Sequence, residues 1–303
     1  MRTSAIFSTA CGIAVFTLPA FADPMSFASP QDAVAAVITS LDARDRDGLL
    51  KVFGPENEDV AFTGDADQDK EIWSGFLRDY RQQNRIEMAA DDRAVLVIGR
   101  MQWPFPAPIV KDDAGWHFDG AAAREEVLLR RIGLNELDVI DLMKQEARVQ
   151  ATFRQEDHDG DGVLEFASAV ISDPGQRNGL YWPDEEGQPE SPIGEFMAKA
   201  SADGFDLDGA DQEPEPYLGY YFRILQKQGP TAPGGAYDYM VGGNMVAGHA
   251  LLAYPASPGE SGIMSFMMGE NGIVYQKDLG DKTLEAGATI DSFDPGDGWE
   301  PAE

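Results

Sequence analysis

The position of the single cysteine most constrains what this chain can fold into. Cys11 lies in a largely apolar stretch, Ile6 to Pro19, which follows a short basic start and precedes Ala20-Phe21-Ala22. A basic start, an apolar segment and an A-x-A end are typical of a secretory signal peptide. We therefore expect cleavage near Ala22 and a periplasmic or secreted mature protein. That mature chain has no cysteine, so its core or a metal ion must stabilise it without disulfides.

A membrane anchor is the alternative to cleavage and release. The apolar stretch is too short for a spanning helix, which needs about 20 apolar residues. Cys11 lies inside the stretch rather than after it, which disfavours a lipoprotein signal. Since no later segment is apolar enough to cross a membrane, we expect no membrane insertion of the mature chain.

The charge of the chain limits its partners. The sequence has 53 acidic and 23 basic side chains and a net charge of -30, and removal of Arg2 with the signal peptide makes it -31. Such a chain repels nucleic acid and anionic lipid. The excess of acids indicates either solubility or cation binding, and charge alone favours solubility.

The first part of the mature chain, residues 23–121, is predicted to be a small α+β domain. Ser29 and Pro30 form a typical helix start, with a capping hydroxyl followed by proline. The proline-rich segment 103–108 is expected at a sheet edge, because proline donates no ladder hydrogen bond. This order of elements is similar to the nuclear-transport-factor-like fold. The predicted elements are helices at 30–41, 47–53 and 69–84, and strands at 93–101, 109–110 and 116–118.

The second part, residues 122–303, is predicted to pack one long helix on an antiparallel sheet, which makes the fold class α+β. The helix covers about 124–156, with an interruption or a kink near its start at Gly133. A short helix from Leu164 and another over 193–203 follow it. Asn271-Gly272 is a strong hairpin signal. The predicted strands are Tyr217–Gln226, Tyr237–Val241, Met245–Tyr254, Ile263–Met268 and Val274–Lys277.

One motif carries chemistry. Asp157, Asp159, Asp161 and Gly162 spell D-x-D-x-D-G after the long helix. They occupy positions one, three, five and six of an EF-hand calcium loop. Calcium takes several hard oxygen ligands, and alternating aspartates on a turning backbone converge on one point, while the glycine allows the turn.

The rest of the loop departs from the EF-hand pattern. Val163 would offer its carbonyl at position seven, and Glu165 stands at position nine. Position twelve is Ser168 instead of the usual bidentate glutamate, so Glu165 or an outside carboxylate must complete the site. We expect weak calcium binding, on the order of 10⁻⁴–10⁻³ M.

The alternative for this motif is a solvated acidic turn. Three aspartates placed so closely repel by about 1 kcal/mol per pair at 4 Å in water. A turn that binds no ion does not require this unfavourable arrangement. In a chain this acidic, other clusters are expected to be solvated loops rather than metal sites. They are Asp65, Asp67 and Asp69; Asp203, Asp206, Asp208 and Asp211; and Asp291, Asp294 and Asp297.

Catalytic motifs are lacking in the sequence. It contains no G-x-S-x-G, HExxH, phosphate-cradling or dinucleotide-binding pattern. His117 and His249 fall in predicted strands as structural residues, and His158 is expected to be exposed. We expect a non-enzymatic protein of the cell envelope with a binding or assembly-support role, whose partner is an envelope protein or a polysaccharide. A carboxylate-based hydrolase of an envelope polymer is the alternative, because glycoside hydrolysis needs only two carboxylates.

Several segments resemble one family of exported bacterial proteins, the domain of unknown function 2950. The resemblance covers nearly all of the mature chain and implies no particular activity. The second part also resembles the globular region of type IV pilins and pseudopilins, which implies a pilin-like fold but not filament assembly. The segments that carry the family resemblance are 27–30, 103–106, 130–137, 157–162, 179–183, 219–223, 228–235 and 277–280.

Overall fold

The computed structural model describes residues 24–185, 187, 189–203 and 213–302. The predicted signal peptide, residues 1–22, lies outside them. The chain forms two compact units that meet in sequence between Val127 and Leu128. In the described part of the chain, no helix combines the length and the apolar character that crossing a membrane requires.

Helices open the first unit. As predicted, the first one begins with Ser29 as its cap, whose hydroxyl accepts a hydrogen bond from the Asp32 amide at 3.2 Å, and with Pro30 in its first turn. Asp65 caps the fourth helix in the same way. These helices are α1 (Pro30–Ala43), α2 (Arg46–Phe53), α3 (Glu58–Ala61) and α4 (Ala66–Gln82), with a 3-10 turn at Pro55–Asn57.

An antiparallel sheet completes the first unit, and its strands run in the order β1-β2-β4-β5, with β3 also pairing with β2. The first strand was not predicted, because its mostly exposed residues show no apolar alternation. The proline-rich segment lies at a sheet edge, as predicted. Within it only Trp103–Pro104 join the sheet, where they pair with β2. The strands are β1 (Asn84–Ala90), β2 (Arg93–Ile98), β3 (Trp103–Pro104), β4 (Ile109–Asp112) and β5 (Gly115–Phe118).

The long helix α5 (Gly120–Phe153) passes through Gly133. A predicted interruption there is therefore wrong, whereas a predicted kink stays a prediction. A glycine costs about 1 kcal/mol in a helix interior, which the flanking helical turns tolerate. From Val139 onward α5 contributes buried side chains to the core of the second unit.

The second unit is built on a five-stranded antiparallel sheet with the order β16-β15-β14-β13-β8. Asn271-Gly272 lie in the connection between β14 and β15, as the hairpin signal predicted. A parallel pair, β6 and β7, was not predicted. The strands are β6 (Ala169–Ile171), β7 (Gly179–Tyr181), β8 (Tyr220–Leu225), β9 (Lys227–Gln228), β10 (Tyr237–Asp238), β11 (Met240–Val241), β12 (Asn244–Met245), β13 (Ala250–Pro255), β14 (Met264–Gly269), β15 (Val274–Asp278) and β16 (Glu300–Pro301).

Two predicted helices of the second unit differ from the structure. The helix from Leu164 is absent, because Phe166 donates its amide to the Met245 carbonyl at 2.8 Å and an extended segment results. The helix predicted over 193–203 shrinks to α6 (Glu195–Ala198), with Gly194 as its cap. The remaining helices are α7 (Thr283–Thr289) and a 3-10 turn at Gly280–Lys282. The predicted α+β class is confirmed, and the pilin-like resemblance of the second unit stays a prediction.

Candidate metal centre

Three aspartates converge in the loop that follows α5. Asp157, Asp159 and Asp161 each place a carboxylate oxygen so that these atoms lie within 4.8 Å of one another, and all three residues are exposed. Of the residues that the structure describes, they form the only group of three acidic or histidine side chains close enough to share a cation. The spacing of the sequence motif therefore becomes a spatial cluster.

The loop backbone explains this convergence. Gly160 and Gly162 adopt φ angles of 81° and 89°, a region that glycine enters without the steric cost of a side chain. Their amides then point inward, and Asp157 accepts hydrogen bonds from them at 2.8 and 2.9 Å. Asp159 accepts from the Asp161 amide at 3.2 Å, so the same turn orients each carboxylate in succession.

The amide donors also fix the charge of the first aspartate. The hydrogen bonds from Gly162 and then Gly160 lower the pKa of Asp157 below its ordinary value, because they stabilise the ionised carboxylate. Asp157 is thus an anion at neutral pH, in the form that binds a cation.

Two further ligands were predicted, the Val163 carbonyl and Glu165. Val163 donates its amide to Asp161 at 2.7 Å, and the role of its carbonyl stays a prediction. Glu165 turns toward β12, where its Oε2 accepts a hydrogen bond from the Met245 amide at 2.7 Å. Burial raises the pKa of Glu165, and the three aspartate charges add to the rise. Glu165 is therefore near the cluster but is not one of its converging groups.

Position twelve of the loop supplies no ligand, as the sequence indicated. Ser168 is buried, and its hydroxyl donates to the Asn178 carbonyl at 3.1 Å. A residue that the sequence reasoning missed reaches the cluster instead, since the Asn244 side chain on β12 donates a hydrogen bond to Asp161 Oδ2. No local pattern could show this contact, because 83 residues separate the two.

The donor set suits a hard cation. The converging side-chain atoms are all carboxylate oxygens, which are the ligands of Ca²⁺ and Mg²⁺, whereas zinc sites favour histidine and cysteine. Calcium takes six to eight oxygens, so three aspartates would provide about half of the shell. The residues present fit calcium, with ligands still to be supplied from outside the triad.

The other acidic clusters have structural partners. Asp65 caps α4, and Asp67 lies 2.7 Å from the Lys70 ammonium. Asp203 pairs with Arg223, and Asp291 pairs with Lys227. Asp206, Asp208 and Asp211 lie outside the described residues. Asp65, Asp67, Asp203 and Asp291 thus act as a helix cap or as ion-pair partners.

The histidines have structural contacts as well. His249 is buried, as predicted. His158 was expected to be exposed, but it is half-buried, with its ring stacked at 4.1 Å on Phe153 and its Nε2 3.0 Å from the Phe153 carbonyl oxygen. His117 lies on β5, with Nδ1 3.7 Å from Asp112.

The sequence reasoning also missed a buried titratable pair. Glu146 on α5 and His249, just before β13, are both sealed in the core of the second unit. Helical spacing could have revealed Glu146, because it lies three residues after the buried Met143 and four before the buried Gln150.

The fold and this loop define a class, an α+β protein with an exposed aspartate cluster and without a recognisable catalytic constellation among its described residues. A family model described as "Protein of unknown function (DUF2950)" matches residues 25–302. The chain belongs to this family, and the resemblance found in its sequence is confirmed. No curated protein and no solved structure matches the chain.

Proposed function

We propose that this is an exported, non-enzymatic protein of the cell envelope, with a binding or assembly-support role and a weak structural calcium site in loop 157–165. One observation carries the calcium part of the proposal. Three carboxylates converge to within 4.8 Å although their charges repel, and a divalent cation would remove that repulsion. The partner in the envelope would be a protein or a polysaccharide.

The surroundings of the loop indicate what an ion would stabilise. The loop begins where α5 ends and leads into Glu165 and Phe166. Both of these residues hydrogen-bond to the backbone of Met245 on β12. An ion held by the aspartates would therefore stiffen the junction between the long helix and the sheet-forming part of the second unit.

Calorimetry tests the calcium site. The melting temperature of the mature protein is measured with millimolar calcium and with chelator, and calcium should raise it, because an ion that binds only the folded state stabilises that state. Asp159→Ala combined with Asp161→Ala should abolish the rise.

A matched control removes the same charge elsewhere. Asp91→Ala with Asp92→Ala takes two acidic side chains from an exposed turn of the first unit and should leave the calcium-dependent rise intact. Equal melting in calcium and chelator would contradict the site. So would a calcium response that survives in the Asp159 and Asp161 double variant.

Export is tested separately. The protein expressed from its full sequence is recovered from the periplasm or medium, and its amino terminus is determined by mass spectrometry. We expect a start near Asp23, after Ala22. An intact leader on the recovered protein would contradict export by a cleaved signal peptide, without bearing on the metal site.

The alternative, a carboxylate-based hydrolase, would need two close carboxyl groups in an open cleft. Burial raises the pKa of Glu146 to about 7, a value that suits a general acid. However, Glu146 is buried in the core, and it lines neither the cavity of about 600 Å³ in the first unit nor the cavity beside Lys282 and Glu285. The binding role is therefore the function that we propose.

A further inference from the structure

The first unit contains a cavity of about 600 Å³, a volume typical of small-molecule sites. Its floor includes Val37, Phe53 and Ile98, which belong to the hydrophobic core. Its rim includes Ile72 and Met101, which are 51% and 91% exposed. The cavity thus connects the core to solvent through an apolar opening.

One face of α4 forms a wall of this cavity. Asp69, Ile72, Trp73, Phe76 and Asp79 all line it, and their three- and four-residue spacing places them on one side of a helix. The two carboxylates are ten residues apart, about 15 Å along the axis. An apolar, largely aromatic strip therefore lies between two acidic ends.

Two of the three carboxylates of the lining, Asp59 and Asp69, already have close partners. Asp59 lies 2.6 Å from the Nε of Arg124, and this contact lowers the pKa of Asp59. Asp69 accepts hydrogen bonds from the amide and the hydroxyl of Thr63, at 2.7 and 2.8 Å. Neither carboxylate therefore offers a strong site for a further cation.

Asp79 differs from these two. It pairs with the adjacent Arg78, whose Nε lies 3.5 Å away, and both side chains are substantially exposed. A single contact of this length between exposed side chains contributes little energy, whereas Asp59 holds Arg124 through two contacts of 2.6 and 3.0 Å. A bound cation can therefore compete for Asp79. The charged side chains that line the cavity, among the residues described, are all carboxylates.

The aromatic wall already accepts a cation in one place. The guanidinium of Arg46 lies 3.7 Å from the ring centre of Phe62, a lining residue. Cations are attracted to aromatic faces by the ring quadrupole. The aromatic rings and the carboxylates of the lining therefore favour the same sign of charge.

We propose that this cavity binds an amphiphilic organic cation, with an alkyl or aromatic body in the apolar interior and an ammonium or guanidinium group at Asp79. Burial of the body supplies the affinity, because its apolar surface is removed from water. The carboxylates and the net charge of -30 disfavour a fatty acid or another anion. This proposal is independent of the calcium site, because the cavity lies within the first unit.

Three probes with one tail separate the effect of charge from that of apolar burial. Octylammonium, octanol and octanoate are titrated into the mature protein in 0.15 M salt, followed by tryptophan fluorescence, since Trp73 and Trp103 line the cavity, and by calorimetry. Octylammonium should bind most tightly and octanoate most weakly, with about a tenfold difference between them.

Variants then locate the site. Asp79→Asn should weaken octylammonium binding by about threefold to fivefold and leave octanol binding unchanged. Asp91→Asn, in an exposed turn away from the lining, removes the same charge and should change neither. Met101→Lys places a cation at the exposed rim, so it should weaken octylammonium binding and strengthen octanoate binding.

Several outcomes would overturn the proposal. One is an absence of binding by octylammonium at millimolar concentration. Another is equal affinity for the three probes, which would indicate an apolar surface without charge selection. A third is an equal effect of Asp79→Asn and Asp91→Asn, which would indicate general attraction to an acidic protein.

Met101→Lys carries no folding risk at its exposed position and keeps the test decisive if Asp79→Asn is unstable.

Discussion

The Nδ1 atom of His249 lies 3.8 Å from Oε1 of Glu146 in the core of the second unit. Among the residues that the structure describes, neither of the two carboxylate oxygens of Glu146 has a hydrogen-bond partner, nor has this ring nitrogen. Burial raises the pKa of Glu146 to about 7, and burial together with the charge of Arg154 lowers the pKa of His249 to about 4. Between about pH 4 and pH 7 the folded protein therefore holds a neutral carboxylic acid, Glu146, beside a neutral imidazole, His249.

This pair should produce two pH dependences of opposite sign. Glu146 keeps its proton in the folded state between its ordinary pKa of 4.5 and about 7, so its contribution to stability falls as pH rises through that window. His249 stays neutral in the folded state between about 4 and its ordinary 6.5, so its contribution rises with pH there. In the natural protein the two contributions largely cancel.

Single variants should separate the two dependences of the free energy of unfolding on pH. Urea unfolding is measured from pH 4 to 7.5 for Glu146→Gln, His249→Gln and the double variant, which serves as the baseline. Relative to that baseline, Glu146→Gln should gain stability with rising pH and His249→Gln should lose it, each by up to about 1.4 kcal/mol per pH unit. Slopes of the same sign in the two single variants would contradict the assignment.

Gln150 should be a strong determinant of the stability of the second unit. It is fully buried, and its amide accepts from the Ala167 amide at 2.9 Å and donates to the Ala167 carbonyl at 3.1 Å. Gln150→Leu keeps the volume but leaves two buried backbone groups unpaired, so we expect a loss of about 2–4 kcal/mol in the free energy of unfolding.

The control for Gln150 is Gln155→Leu. The Gln155 side chain is exposed, and its amide donates locally to the Ala151 carbonyl. We expect a change within about 0.5 kcal/mol by urea unfolding. If the two variants lost equal stability, the bonds to Ala167 would not be the reason for the effect.

The sequence predicted the features that depend on residues close together in the chain. The aspartate loop forms as expected, because its turns depend on glycines and aspartates within six consecutive residues, from Asp157 to Gly162. The helix predicted from Leu164 fails, because a distant strand residue, Met245, takes the hydrogen bond of Phe166. The cavity of the first unit depends on residues of five helices, α1 to α5, and of two strands, β2 and β3, meeting in space, which no periodicity encodes.

Gly133 offers a substitution that should stabilise the protein. It lies inside α5, and a Cβ atom added there meets nothing within 4 Å. Gly133→Ala should therefore raise the free energy of unfolding by about 0.5–1 kcal/mol, because alanine loses less backbone entropy in a helix. Thermal and urea unfolding both measure this gain, and a loss of stability would contradict an uninterrupted helix at this position.

Gly262→Ala is the opposite case and serves as the comparison. A Cβ atom at Gly262 would lie 2.0 Å from the hydroxyl oxygen of Tyr220, which donates a hydrogen bond to the Met264 carbonyl at 2.9 Å. The substitution should destabilise the protein by about 1–3 kcal/mol, as overpacking in a core does. Equal effects of the two glycine substitutions would show that local space does not decide their sign.

Asn244 gives the sharpest test of how the aspartate loop is completed. Its side chain contacts Asp161, so Asn244→Asp would add a fourth carboxylate to the three that converge there. Without calcium the variant should melt at a lower temperature than the natural protein, because like charges at short range repel. With calcium the order should reverse, since affinity rises with the number of charged ligands, and we expect binding about threefold to tenfold tighter by calorimetric titration. Asn271→Asp, in the exposed turn between β14 and β15, is the matched control and should leave the calcium affinity unchanged. If Asn244→Asp lowered the melting temperature equally with calcium and with chelator, the loop would be an acidic turn that binds no ion.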